Sequence, residues 1–266
     1  MNSEVVSSAT KIPFYLKALV ALCLLAGVGI GLFALAGPIA VWLGMADFRV
    51  GFDYLRTVNA WADWIAGGSF LLTVAIFVLA RKQGHSGAPK LAVLGLIGSL
   101  AAFLSWYVPE TFRPPEGTPA IHDIATDPYN PLEYVAIAPL RADAANNMDY
   151  GVMPGIESVQ QHIDMQLNAY PDIVPQVFAE DSGAVFNRAL SAAESMGWEI
   201  VAADAESGRI EATDTTFWFR FKDDVVVEVS ADNNGGSMLN ARSLSRVGRS
   251  DVGKNASRLR EFFARL

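Results

Sequence analysis

Gly248-Arg249-Ser250-Asp251-Val252-Gly253-Lys254 has the G-x-x-x-x-G-K spacing of a loop that cradles phosphate on its backbone N–H groups. The position after the lysine is Asn255, so the hydroxyl that would hold Mg²⁺ is missing. The strands before it alternate as hairpins rather than parallel crossovers, and nucleotide binding is not expected. A less demanding chemistry remains. Arg242-Ser243-Leu244-Ser245-Arg246 runs into a helix start at Ser250-Asp251, which places two guanidiniums and two hydroxyls near free backbone donors. That set suits a carboxylate or phosphate. Arg209 and Asn255 would add donors, and Glu211 would orient an arginine. The alternative is that Asp251 caps the helix and the arginines pair with the acidic body of the domain.

His122-Asp123, with Asp127 following and His162-x-Asp164 further on, offers the parts of a general-base pair or a metal half-site. No His-x-x-x-His or Glu-x-x-His spacing supports a metal, and no G-x-S-x-G supports a serine nucleophile. The single cysteine, Cys23, lies in an apolar run, which excludes a disulfide within the chain, a thiolate cluster and a Cys/His nucleophile. No metal or other cofactor is expected. His122 and Asp123 stay as weak catalytic candidates for a hydrolase.

These residues are carried by the polar part of a divided chain. Ala18 to Ala46, Trp64 to Ala80 and Leu91 to Pro109 hold no charged residue. About 20 such residues cross the hydrocarbon core of a bilayer. The spacing predicts membrane helices over about 18–40, 62–80 and 90–109 within a membrane domain of residues 1–110, with Gly37-Pro38 ending the first. Absence of intramembrane charge argues against a transporter and for an anchor. Gly27 and Gly31 form a G-x-x-x-G, suited to helix packing within the bundle or to a homodimer. Lys11, Lys17, Arg81, Lys82 and Lys90 fall on one side, against Arg49, Arg56 and Arg113 on the other. The bias puts the N-terminus in the cytoplasm and everything after Pro109 outside, the periplasm if the membrane is a bacterial inner membrane. Lys11 to Ala36 also reads as a signal peptide ending at Ala34-Leu35-Ala36, but the apolar run continues past it.

Charge separates the same two parts. Residues 1–109 carry seven basic and four acidic residues, net +3; residues 110–266 carry thirteen against twenty-four, net −11. An acidic domain disfavours nucleic acid and anionic lipid as general partners; the membrane helices meet the lipid bilayer, and an envelope protein or an anionic small molecule is left for the domain.

After a Pro-rich linker over 111–119, the soluble domain spans 120–266. Residues 120–182 read as ordered loop, with a possible strand over Leu132 to Ala138. Val185, Phe186, Ala189, Leu190, Ala193 and Met196 repeat at helical spacing, and Gly197 closes that helix. Five short strands follow: Trp198 to Ala203, Arg209 to Thr213, Thr216 to Phe221, Val225 to Val229, and Met238 to Ser245, the last after a turn at Asn233-Asn234-Gly235-Gly236. A final helix carries Val252, Ala256, Leu259, Phe263 and Leu266 on one stripe. The fold class is an all-α anchor of three helices plus an α+β domain, an antiparallel meander on two helices. The other sheet face, with Arg209, Glu211, Thr213, Trp218, Arg220, Glu228 and Arg242, is either solvated or covered by the 120–182 segment; Trp218 there is expected to be covered.

His122-Asp123-Ile124-Ala125-Thr126-Asp127-Pro128, Gly208-Arg209-Ile210-Glu211-Ala212-Thr213, Phe217-Trp218-Phe219, Asp223-Asp224-Val225 and Arg242 through Asn255, in this order, resemble the family catalogued as domain of unknown function (DUF) 1499. The resemblance covers about residues 120–266, and three preceding helices are similar to the arrangement of some bacterial members. It implies a fold, no established activity or cofactor, and one shared surface for the His-Asp-Ile and Arg-Ser-x-Ser-Arg segments. The expected function is a membrane-anchored extracytoplasmic domain binding an anionic ligand or protein partner. Its site would comprise Arg209, Glu211, Arg242, Ser243, Ser245, Arg246, Ser250, Asp251 and Asn255.

Overall fold

The computed structural model describes residues 11–232 and 235–266. Asn233 and Asn234 of the turn before the last strand lie outside the described residues. The chain divides into two compact units, Met1–Arg113 and Pro114–Leu266.

The first unit is three helices, α1 (Phe14–Trp42), α2 (Phe48–Lys82) and α3 (Ala88–Glu110), each long and apolar enough to cross a membrane. Two of them depart from the sequence reading. α1 runs through Pro38 to Trp42 rather than stopping there. Gly37 is seated on Gly51 of α2, where a Cβ would come within 2.9 Å of the Gly51 carbonyl, so packing holds the helix across the proline. α2 begins well before residue 62, because Asp47 accepts the Arg49 N–H at 2.9 Å and caps a polar first stretch onto the apolar span. Gly27 faces Gly98 of α3, and a Cβ at Gly27 would come within 1.9 Å of the Gly98 carbonyl. The small residues therefore pack helices of one chain against each other, where lipid gives no hydrophobic drive to associate.

In the second unit, β3 (Glu199–Asp204), β4 (Arg209–Thr215), β5 (Lys222–Ala231) and β6 (Ser237–Ser245) form an antiparallel meander. Two short strands that the sequence did not announce, β1 (Asp123–Ala125) and β2 (Gln176–Phe178), pair end to end along the far edge of β6. The sheet is open, in the order β1-β6-β5-β4-β3. Period-two alternation sends Ile210, Ala212, Val225, Val227, Val229, Leu239 and Ala241 to one face. There they meet α5 (Ser182–Ser195) and α6 (Lys254–Phe263), with Phe262 stacked on Trp198 at 5.2 Å. Each of the Ile, Val, Leu and Phe side chains taken from water stabilises the fold by about 2 kcal/mol.

The other sheet face is covered, not solvated. Tyr134 and Ile137 pack on Val226 and Leu244. Leu132 to Ala138 is no strand; only a turn of 3₁₀ helix, Ala138–Arg141, follows. Helix α4 (Val159–Ala169) lies in the stretch read as loop. Thr216 to Phe221, whose alternation imitates a strand, is the connection between β4 and β5: Thr216 N–H donates to the Phe221 carbonyl at 2.8 Å and closes a turn. Trp218 on that turn is exposed rather than covered.

Candidate functional site

The covered sheet face is built of charge. Arg242 on β6 is buried, and its Nε and Nη2 donate to the two carboxylate oxygens of Asp123 on β1 at 2.9 and 2.8 Å. Its Nη1 donates to the Leu132 carbonyl at 2.7 Å, and the guanidinium lies between the rings of Tyr134 and Tyr150. Burial works against the charge on Arg242, but the Asp123 carboxylate outweighs it and pushes the guanidinium pKa above its ordinary value. One strand pair along β5, Asp224 accepts from Arg246 Nε and Nη2 at 2.9 and 2.8 Å, from Thr213 Oγ1 at 2.7 Å, and from Arg141 Nη1. Arg209 donates from Nε to Glu211 at 2.9 Å. Burial alone would raise the Glu211 pKa, but the backbone N–H groups of Ile137 and Val135 at 2.8 and 2.9 Å hold it below the usual carboxylate range. The sequence segment over 132–148 is thus bound to the sheet by side chains acting as surrogate strands.

On the helix side, Asn255 at the start of α6 is fully buried. Its Oδ1 accepts from Ser243 Oγ at 2.8 Å and from Arg258, and its Nδ2 donates to the His122 carbonyl at 2.8 Å and to Ser245 Oγ at 3.0 Å. Asp251 takes the N–H groups of Gly253 and Asn255 at 2.8 and 2.7 Å. This settles the P-loop-like spacing: the backbone donors that would cradle a phosphate are occupied by the chain's own carboxylate. Burial raises the Asp251 pKa to about 6. Ser250 Oγ accepts the Val252 N–H at 3.1 Å and serves the same loop.

The site residues of the sequence reading are therefore brought close, but as an internal network. Arg242, Arg246, Ser243, Ser245, Asp251 and Asn255 satisfy one another or Asp123 and Asp224. His122 and Asp123 do not form a dyad. Asp123 is held by Arg242, while His122 donates from Nδ1 to the Arg249 carbonyl at 3.3 Å, which fixes the proton on Nδ1. Asp127 caps its own loop through the Tyr129 and Asn130 N–H groups. His162 on α4 reaches only the backbone carbonyl of Asp123, at 2.9 Å.

What the sequence reading missed is a cleft of about 610 Å³ against His122, lined by Asn146, Met153, Ile156, Glu157 and Val159 among others. His122 is 1% exposed, and its Nε2 has no hydrogen-bond partner among the described residues. Burial lowers its pKa, against the Arg249 carbonyl and the Asp123 charge, so the ring is neutral and Nε2 carries a lone pair. Arg249 is exposed and makes no ion pair among the described residues. Its guanidinium rests on Gly155 beside the cleft lining, where any Cβ would come within 2.6 Å of Nη2. The sequence signal was present in the unassigned arginine of the Gly248–Lys254 loop; the wall that meets it, residues 145–159, has no periodicity to read.

The open antiparallel sheet, two helices on one face and the ion network on the other define an α+β domain carried behind three membrane-capable helices. Residues 123–266 match the family described as protein of unknown function (DUF1499), more than half of the chain, and the protein belongs to that family. No curated protein and no solved structure matches it.

Proposed function

We propose that the protein is a membrane-anchored binding module whose soluble domain holds a small molecule with one acidic group in the His122 cleft. The observation that carries this is the pairing of a buried histidine with an exposed arginine, in a domain whose buried arginines are consumed internally: among the described residues His122 Nε2 has no partner and no carboxylate neutralises Arg249. Arg249 would take the acidic group as a charge-assisted pair. His122 Nε2 would accept from a hydroxyl or amide of the ligand, or share its proton. Met153, Ile156 and Val159 supply an apolar wall, and Glu157 on the lining disfavours a polyanion. In the same proposal the N-terminus is cytoplasmic and the domain lies outside a bacterial inner membrane, in keeping with the Lys/Arg bias of the flanking segments.

Native mass spectrometry of the full chain, released from membranes in mild detergent, tests the binding reading. A co-purified acidic species is expected in the parent and absent from Arg249→Ala and His122→Gln. A bare parent protein, with no thermal shift from a panel of small carboxylates and phosphomonoesters, would overturn it.

A further inference from the structure

The His122 cleft is bordered by two side chains of opposite charge that do not pair. Glu157 lies exposed on the lining, and the chain bonds only its backbone, the Glu157 N–H donating to Gln161 Oε1 at 2.6 Å. Its carboxylate makes no hydrogen bond or ion pair among the described residues. The Arg249 guanidinium rests on Gly155, two positions earlier in the same segment, and is not in an ion pair among those residues either. Other polar groups of the lining serve the chain itself. Asn146 Nδ2 donates to the Ser245 and Gly248 carbonyls at 3.0 and 2.9 Å. Asn147 Oδ1 accepts the Asp149 N–H at 2.8 Å, and Ser158 Oγ caps α4 by accepting the Gln161 N–H at 3.1 Å.

Three groups are left for a ligand, and their polarities define it. Arg249 only donates, the Glu157 carboxylate accepts, and His122 Nε2 offers a lone pair from a side chain that is 1% exposed. A ligand with an acid alone satisfies Arg249 and brings a second negative charge beside Glu157. A ligand that also carries an ammonium group supplies the donor that both acceptors lack. Val152, Met153, Ile156 and Val159 line the same space and receive an apolar body. We infer, on the reading that this cleft takes an acidic small molecule, that its ligand is a zwitterion of the apolar amino-acid class. Its carboxylate lies on Arg249, its ammonium on Glu157 with His122 Nε2 as a further acceptor, and its side chain on Met153 and Ile156.

Isothermal titration of the full chain in mild detergent tests this with leucine, methionine and phenylalanine, each beside the same acid without its amine. At least one amino acid should bind, and its amine-free counterpart about tenfold more weakly, the worth of a charge-assisted hydrogen bond. Glu157→Gln should abolish that preference while the counterpart binds as it does to the parent. The counterpart's affinity thus reports that the variant is folded. Equal binding of amino acid and counterpart, or a preference unchanged in Glu157→Gln, overturns the zwitterion and leaves the acid-binding cleft standing. Silence from all six compounds overturns the zwitterion as well, and the panel of small carboxylates and phosphomonoesters then decides whether the cleft takes an acid at all.

Discussion

Asp123 and Arg242 meet as a two-pronged pair on neighbouring strands, at 2.9 and 2.8 Å, although 119 positions separate them in the chain. Both are almost wholly buried, at 1% and 2% exposure. A buried pair of this kind gains little net stability over apolar residues of similar shape, because desolvation offsets the attraction. Breaking it is different, since one charge is then left in the interior.

Asp123→Ala should accordingly destabilise the soluble domain by about 3–5 kcal/mol. Replacing both residues by leucine should cost less than the single change. Chemical denaturation of the two variants, followed by the near-ultraviolet signal of the buried Trp198, checks the order. A double variant less stable than Asp123→Ala would show that the pair stabilises beyond mutual compensation.

The domain should respond to acid through groups of opposite sign, of which His162 and Asp251 are a contrasting pair. His162 is buried, its Nε2–H donates to the Asp123 carbonyl, its Nδ1 has no partner, and the Tyr150 ring meets it edge-on at 4.6 Å. Burial lowers its pKa, against the Asp123 charge, while His122 and Arg242 lower it further. Its contribution to stability is full above the unfolded value near 6.5 and is lost as pH falls below it. Asp251 has the reverse sense, since its folded pKa is raised from 3.8 to about 6. That contribution is full below the unfolded value and disappears as pH rises through about 6, a change of about 3 kcal/mol. Melting temperatures of the parent, His162→Gln and Asp251→Asn between pH 4 and 7 separate the two. His162→Gln should flatten the acid loss, and Asp251→Asn should remove the opposing slope.

Gly27→Leu should break the anchor at the α1–α3 contact, because a Cβ there meets the Gly98 carbonyl at 1.9 Å. Overpacking costs typically about 1–3 kcal/mol, and more where the obstacle is backbone. The thermal stability of the detergent-solubilised variant should fall, whereas Gly67→Leu, with open space around its Cβ position, should leave it unchanged.

Length and charge made the membrane helices legible, and clean alternation did the same for β4, β5 and β6. The α5 helix was readable for the same reason, with Gly197 at φ +77 closing it. Helix α4 was hidden because its buried face is polar: His162 and Gln166 point inward to serve β1, with Gln166 bonding both the N–H and the carbonyl of Ala125. Periodicity of apolar residues cannot report a face on which Ile163 is the one apolar residue of the three that are buried. Thr216–Phe221 failed in the opposite direction, since its aromatics alternate on a connection that Thr216 and Phe221 close into a turn. The arginines were recognised as a cluster, but their saturation by Asp123 and Asp224 depends on strand register, which spacing along the chain does not encode.

The placement of β1 on β6 also sets a timetable. The strand that opens the domain finds its partner only when nearly the whole chain exists, so a nascent chain holds residues 123–125 with no ladder to join. Loop closure over such a distance slows folding. A chain truncated before residue 242 would therefore lose the ladder of its first strand along with its last.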